Sequence, residues 1–577
     1  MDYQPPETDI NFLLNRVFAL GEEWARIPGL ADFTPDLLSA VVTEAGKVAS
    51  EVLAPVNQPG DEEGCRWDNG TVTTPAGFPA AFAAFRDGGW LGLSGNPAFD
   101  GQGMPKTLGC VVEEMFWAAN PALYLYGTLS VGAALCIDSH GTPEQKAMYL
   151  PRLYAGTWTG TMCLTEPHAG TDLGIIRTRA EPKADGSYAL TGTKIFITSG
   201  EHDLAENIVH LVLARLPDAP GGTRGISLFI VPKFLHDEAG NLGGRNAAAS
   251  GAIEHKMGIR GSATNVMNFD GATGYLIGAP NAGLACMFTM MNYERLSVGI
   301  QGLGASEAAW QAASRYAKDR LQGRAPTGPR NPDGAADPLL VHPDVRRMLL
   351  TIRAHVEAGR AFAILVGREL DRARHSGDRQ AQAFSELLTP IAKAYLTDRG
   401  FEDAVTAQQV YGGHGYIREW GVEQLVRDAR IAQIYEGTNG VQAMDLIGRK
   451  VLKDGGATLR AFFAQLESDP VDSEFAAAVA DARDLLFRVT DDVARRSRDD
   501  GDLPGAVATD YLDLAALTLY AWLWARMSEA AKGTALETSK RLTAQFFFAR
   551  LLPRAHSLAA GIGAASSAVM AMADADF

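Results

Sequence analysis

The spacing of apolar residues divides the chain into helical, then alternating, then helical stretches. Residues 11–25 carry apolar positions at helical spacing. Leu38, Val41, Val42, Ala45, Val48, Ala49 and Val52 follow at intervals of three and four, which predicts an amphipathic helix. Thr34-Pro35-Asp36 suits its start, with a capping hydroxyl, a proline at the first helical position and an acid in the first turn. Pro55 predicts its stop, and 58–75 reads as turns. The same period predicts helices over 79–86, 108–119, 123–139 and 143–153.

After Gly156 the period changes to two. Tyr188, Leu190, Ile195, Ile197, Val209, Leu211, Leu213, Ile226, Leu228 and Ile230 alternate with their neighbours, and Asp185-Gly186 and Thr191-Gly192 supply turns. This predicts strands, with 241–251 as a Gly/Ala-rich loop among them. Helical spacing returns over 284–317, 345–375 and 379–410, and the segment after Gly413 completes a four-helix bundle. Three further helices are predicted at 473–498, 507–531 and 537–572. The expected fold class is α+β, mainly α. It comprises an N-terminal helical extension (1–34), an N-terminal helical domain (35–156), a middle β-barrel domain (157–281), a C-terminal four-helix bundle (282–450) and an additional C-terminal helical domain (451–577).

Composition narrows the function. The formal net charge of −16 disfavours nucleic acid as a partner. Five scattered cysteines without C-x-x-C spacing point to a reducing cytoplasm and away from a structural metal. No run reaches the roughly 18 apolar residues of a membrane span, and the opening MDYQPPETD lacks a leader pattern. The expected localisation is therefore cytoplasmic, with no membrane span. Gly413-His414-Gly415 lacks the third glycine of a dinucleotide fingerprint and its predicted context is helical. Gly302-Leu303-Gly304 lies within a helical pattern and reads as tight packing.

The chemistry concentrates in 409–442. A glycine turn, Tyr411-Gly412-Gly413-His414-Gly415-Tyr416, opens the stretch, and an amphipathic helix follows. Glu436 then stands in an uncharged neighbourhood, Ile434-Tyr435-Glu436-Gly437-Thr438. Apolar neighbours desolvate a carboxylate and raise its basicity, and Gly437 opens the backbone to a ligand. A poised carboxylate of this kind suits proton abstraction beside a carbonyl. Taken alone, the pentapeptide fits a surface turn about as well.

The segment resembles the C-terminal signature of the acyl-CoA dehydrogenase family, in which Y-E-G-T carries the catalytic base. A second stretch, Met162-Cys163-Leu164-Thr165-Glu166-Pro167-His168-Ala169-Gly170-Thr171-Asp172, is similar to the family's flavin-contacting loop. The resemblance implies FAD as cofactor and α,β-dehydrogenation of an acyl-CoA, with electrons passed to electron-transfer flavoprotein, as in fatty acid β-oxidation. By resemblance Met162, Leu164 and Thr165 line the isoalloxazine, and Gly170 and Thr171 reach toward ligand and pyrophosphate. Phe196 packs on the flavin, Thr198 bonds it, and Thr438 of the Y-E-G-T tetrapeptide joins the cofactor contacts. Arg320 matches the Arg that neutralises a neighbour's diphosphate, although the usual R-x-x-F-G context is broken here by Leu321-Gln322-Gly323. Gln409, Gly412 and Gly413 match residues that close over a neighbour's adenosine part, which implies a homo-oligomer, expected as a dimer.

The resemblance offers two positions for the base. Glu436 has the complete tetrapeptide and is the expected base. Glu294, in Asn292-Tyr293-Glu294-Arg295-Leu296, matches the alternative used by isovaleryl-type members. Arg295, Tyr435 and Gly437 are the implied substrate contacts, and 255–262 loosely matches a family loop near substrate and flavin. The two terminal extensions resemble a subgroup that includes 3-methylmercaptopropionyl-CoA dehydrogenases. This favours 3-(methylthio)propanoyl-CoA or a medium-to-long straight chain as substrate. An acyl-CoA oxidase shares base and fold. A DNA-binding alkylation-response relative would need a basic tail, whereas 451–577 is net acidic.

Overall fold

Thr34 begins the first long helix: its Oγ1 accepts the Leu37 N–H at 3.3 Å, and Pro35–Lys47 follows. The computed structural model describes residues 3–577, so the first two residues of the expected extension lie outside the described residues. The helix does not stop at Pro55. It continues through a π-helical stretch Val48–Leu53 and a 3-10 turn Ala54–Val56 into Asn57–Glu63. Pro55 stands in that 3-10 turn, where the helical ladder changes from the π to the 3-10 pattern.

The chain divides into two units. One comprises Lys47–Met104 and Ala119–Glu294. Its helices include Phe78–Asp87, Pro121–His140 and Pro143–Tyr154. Among the described residues, Pro121–His140 alone is long and apolar enough to cross a membrane. It is a core helix: 78% of its apolar window is buried. Leu129, Ala133 and Ile137 pack in one cluster with Trp158, Val209 and Leu228 of the sheet.

The strands, in chain order, are β1 (Arg66–Asp68), β2 (Thr71–Thr73), β3 (Trp158–Cys163), β4 (Arg179–Pro182), β5 (Tyr188–Thr198), β6 (Asn207–Arg215), β7 (Ile226–Pro232), β8 (Phe234–His236), β9 (Leu242–Arg245), β10 (Ala248–Ile253) and β11 (Thr264–Ile277). The predicted loop 241–251 is therefore largely strand, because pairing with β8 and β11 overrides the weak strand preference of Gly and Ala. Seven strands form one sheet in the order β10-β11-β5-β4-β6-β3, with β7 pairing β11 and β6. The expected barrel does not form. Among the described residues β10 pairs only with β11 and β3 only with β6, and the short β4 meets β6 at a single pairing, Arg179 with Arg215. β6 and β7 are buried along nearly every residue, as expected of strands covered on both faces.

The other unit comprises Tyr3–Gly46, Pro105–Ala118 and Arg295–Phe577. Three long helices dominate it: Gly283–Asp319 from Arg295 onward, Pro343–Ser376 and Arg379–Tyr411. Gly302 and Gly400 let two of them cross closely. A Cβ on Gly400 would lie 2.3 Å from the Gly302 carbonyl oxygen, so the glycine pair is a packing device. The fourth member of the expected bundle is broken into Val422–Ala429, a 3-10 turn Arg430–Gln433 and Asn439–Met444.

The C-terminal addition is built into the same unit. Leu503–Ala531 is buried along most of its length. Trp524 Nε1 donates to the Ala354 carbonyl at 3.2 Å, and Trp522 Nε1 to that of Leu466. The predicted helix 537–572 is interrupted at Pro553 into Glu537–Phe546, a π-helical turn and Arg554–Ile562. A helix Ala457–Leu466 precedes the predicted ones.

Candidate active site

In the first unit, β3 ends at Cys163 and the signature loop leaves it. Glu166 anchors that loop. Its carboxylate accepts the Arg177 and Thr178 N–H groups at 2.7 and 3.0 Å, the Thr178 hydroxyl at 2.6 Å and Lys194 Nζ at 2.8 Å. Lys194 is fully buried on β5 and also donates to the Leu164 carbonyl at 2.9 Å. Burial alone would raise the Glu166 pKa, but the Lys194 charge and these hydrogen bonds hold it down at about 2. The Ile195 N–H bonds the Thr165 carbonyl at 2.9 Å. Met162 and Thr165 are half-buried, Leu164 is buried, and Gly170 and Thr171 are exposed.

Phe196 sits where the β5–β11 register shifts, between the Met267–Lys194 and Asn265–Ile197 pairs. Its φ is +58°, and its side chain is 61% exposed although it lies on a strand. A left-handed bulky residue is a strained outlier, and such residues cluster at ligand sites. Bulges of this kind re-aim side chains. Thr198 lies two residues on, half-buried, and Ser199 repeats the left-handed backbone at +58°. The buried Ser199 Oγ has no hydrogen-bond partner among the described residues. An outward aromatic ring, an unpaired hydroxyl and a Gly170 with open space around it fit a flat polar heterocycle such as the flavin of FAD.

Glu294 also belongs to the first unit. It is buried, with Thr128 Oγ1 at 3.4 Å from Oε2. A Cβ on Gly132 would come 2.6 Å from its Oε1. Its side chain is thus packed against the helix Pro121–His140.

In the second unit, Arg379–Tyr411 ends at Gly412, whose φ of +59° stops the helix. Gln409, Gly412 and Gly413 are exposed. An aromatic cluster braces the turn: Tyr316 stacks on Tyr411 at 4.0 Å and His414 on Trp420 at 4.1 Å. Arg320 is exposed just past the end of Gly283–Asp319.

Glu436 and Gly437 are consecutive left-handed residues, with φ of +57° and +82°. The Glu436 carbonyl accepts Gln442 Nε2 at 3.1 Å. The Gly437 carbonyl accepts Lys393 Nζ at 2.8 Å. The Tyr435 hydroxyl donates to Gln301 Oε1 at 2.5 Å. Thr438 caps Asn439–Met444, accepting the Val441 N–H at 3.3 Å. Burial pushes the Glu436 carboxyl up to about 7, against the nearby charges of Arg295 and Lys393. Burial likewise lowers Arg295, with Asp445 and Glu436 pulling it back. A carboxyl that titrates near neutrality and sits on a pinned turn is able to take a proton from carbon.

Lys393, Asn439 and Gln442 were not predicted as site residues. For Lys393 a signal existed: it is the lone cation in the run Leu387–Leu396.

Comparison with known proteins places these features in a family. The acyl-CoA dehydrogenase N-terminal, middle and C-terminal domain families match residues 38–157, 161–272 and 281–452. The acetyl-CoA dehydrogenase C-terminal-like family matches 456–573. The chain is 47% identical over 468 residues to the 3-methylmercaptopropionyl-CoA dehydrogenase of Ruegeria pomeroyi, covering 80% of this chain and 78% of that one. It is 37% identical over 436 residues to a butyryl-CoA dehydrogenase of Syntrophomonas wolfei, covering 73% and 71%. The fold matches the acyl-CoA dehydrogenase of Bacillus anthracis, solved in complex with FAD, with a TM-score of 0.75 at 21% identity over 96% and 91% of the two chains. The chain belongs to the acyl-CoA dehydrogenase family of oxidoreductases.

Proposed function

We propose that this protein dehydrogenates an acyl-CoA thioester to the trans-2-enoyl-CoA, with Glu436 as the base. The observation that carries the reading is the turn itself: Glu436 and Gly437 are consecutive left-handed residues whose carbonyls Gln442 and Lys393 pin, and the Glu436 carboxyl on it is shifted up to about 7. Glu436 accepts the α-proton and becomes a neutral carboxylic acid, and the backbone N–H of the same residue polarises the thioester oxygen. When bound, FAD supplies the two-electron acceptor for the hydrogen leaving the β-carbon. Phe196 and Thr198 hold that cofactor from β5, and Met162, Leu164, Thr165, Gly170 and Thr171 hold it from the loop that Glu166 and Lys194 anchor. Thr438, Gln409, Gly412, Gly413 and Arg320 complete the cofactor contacts, the last four toward a second subunit of a homodimer. Arg295, Tyr435 and Gly437 border the substrate. Electrons leave to electron-transfer flavoprotein. Identity to the Ruegeria relative supports 3-(methylthio)propanoyl-CoA as substrate.

The test is anaerobic titration of the flavin-loaded protein with butanoyl to palmitoyl, isovaleryl and 3-(methylthio)propanoyl thioesters, following oxidised-flavin absorbance. Bleaching is expected to be steepest with the methylthio substrate, and to be lost by several orders of magnitude in Glu436→Gln, which still binds flavin. A yellow protein that no thioester bleaches would overturn the reading. Rapid oxygen consumption during turnover would replace the electron acceptor with O₂.

A further inference from the structure

We propose that Lys393 is a positioning residue for the base: its ammonium pins the turn that carries Glu436 and its charge sets the acidity of that carboxyl. This rests on Glu436 being the base. Lys393 is completely buried in the middle of Arg379–Tyr411, among Pro390, Ile391 and Ala394. An ammonium is placed there at a desolvation cost, and buried charges persist where they are hydrogen-bonded. Its two acceptors bracket Thr438: the Gly437 carbonyl at 2.8 Å and Asn439 Oδ1 at 2.8 Å.

Asn439 is in turn fixed by its amide. Nδ2 reaches Asp398 Oδ1 at 2.7 Å, Thr397 Oγ1 at 2.9 Å and the Ala394 carbonyl at 3.2 Å. Both ends of the clamp therefore belong to one rigid helix. What it restrains is the Glu436–Gly437 pair, whose left-handed backbone an ordinary residue abandons unless it is held. Gln442 supplies a second hold through the Glu436 carbonyl.

The charged groups around the base come from three elements. Arg295 lies on Gly283–Asp319, Lys393 and Asp398 on Arg379–Tyr411, and Asp445 with Arg449 on the turn after Asn439–Met444, acting through Arg295. Lys393 is one of the two cations that oppose the effect of burial on Glu436. Loss of that cation moves the carboxyl upward.

Three variants separate position from charge. Lys393→Met is expected to retain flavin, to lose about 10- to 100-fold in kcat through misplacement of the carboxyl, and to shift the acid limb of kcat/KM to higher pH. Lys393→Arg keeps the charge but not the geometry, so its acid limb stays in place while kcat falls less. Should Lys393→Met fail to fold, Lys393→Gln is read in its place, with the same upward shift expected. A Met or Gln variant with wild-type kcat and an unmoved acid limb overturns the proposal. An active Glu436→Gln would instead overturn the base assignment, so the two failures are distinguishable.

Discussion

Arg360 grips Glu114 with two of its nitrogens, Nε at 2.9 Å and Nη2 at 2.6 Å, where both side chains are buried. The same guanidinium bonds Glu307 at 2.7 Å and reaches Asp9 of the N-terminal extension. Lys540 of the C-terminal addition meets Asp9 as well and bonds Glu357 at 2.8 Å. One buried network thus ties both extensions to the helices between them. Removing one partner leaves several uncompensated charges, so Arg360→Met is expected to destabilise by about 3–5 kcal/mol. Pairing it with Glu114→Leu should recover part of the loss. Urea unfolding monitored by tryptophan fluorescence checks both.

The Glu166–Lys194 pair predicts an acid-side dependence. Glu166 titrates at about 2 in the fold against an ordinary value near 4.5. A depressed carboxyl contributes stability that is fully present above its unfolded pKa and lost as pH falls through the folded one. Stability should therefore drop between about pH 4.5 and 2, and Glu166→Gln should flatten that part of the curve. Lys194→Met, which leaves Glu166 and the Leu164 carbonyl without their ammonium, is expected to lower flavin affinity together with stability. Flavin fluorescence on titration of the apoprotein measures the first and thermal melting the second.

Glu436 has the opposite sign. Its folded pKa of about 7 lies above the ordinary value. The stability it contributes is full below about pH 4.5 and is lost as pH rises through 7. Activity runs the other way, because the base works only when ionised: kcat/KM should rise through about pH 7. The wild type is thus expected to become more active as it becomes less stable, whereas Glu436→Gln loses both dependences. Melting temperature and kcat/KM over pH 5–9 test the pairing.

Much of this was legible in the sequence, for identifiable reasons. Local rules hold where local chemistry decides, as at Thr34-Pro35 and in the Gly302 pattern, whose tight packing the close Gly400 crossing bears out. They failed where tertiary pairing decides. Residues 241–251 look like a loop because Gly and Ala have weak strand preference, yet most of them lie in β9 and β10, which pair with β8 and β11. The alternation of β5–β7 is compatible with a barrel or an open sheet, and it says nothing of the one-sided pairing of β10 and β3 or of the single β4–β6 pairing. The Glu436 pentapeptide was visible, but the Lys393 clamp was not. The two residues are 43 positions apart, and nothing local says that a lysine in an apolar run will meet the carbonyl of Gly437.

The packing of Glu294 against Gly132 allows a test between a wall residue and a second base. A Cβ at position 132 would lie 2.6 Å from Glu294 Oε1 and 3.1 Å from Met290 Cγ. Both are side-chain atoms, so they shift rather than block folding, and Gly132→Ala is expected to cost about 1–3 kcal/mol. If the carboxylate is the obstacle, Glu294→Ala should relieve that cost, giving a coupling of about 0.5–3 kcal/mol in a double-mutant cycle. A wall role also requires Glu294→Gln, which keeps the shape and loses the charge, to retain turnover within a few-fold. Thermal melting reads the cycle, and steady-state turnover on the acyl-CoA panel reads the Gln variant. Loss of turnover in Glu294→Gln equal to that in Glu436→Gln would mean that the two carboxylates share the proton transfer.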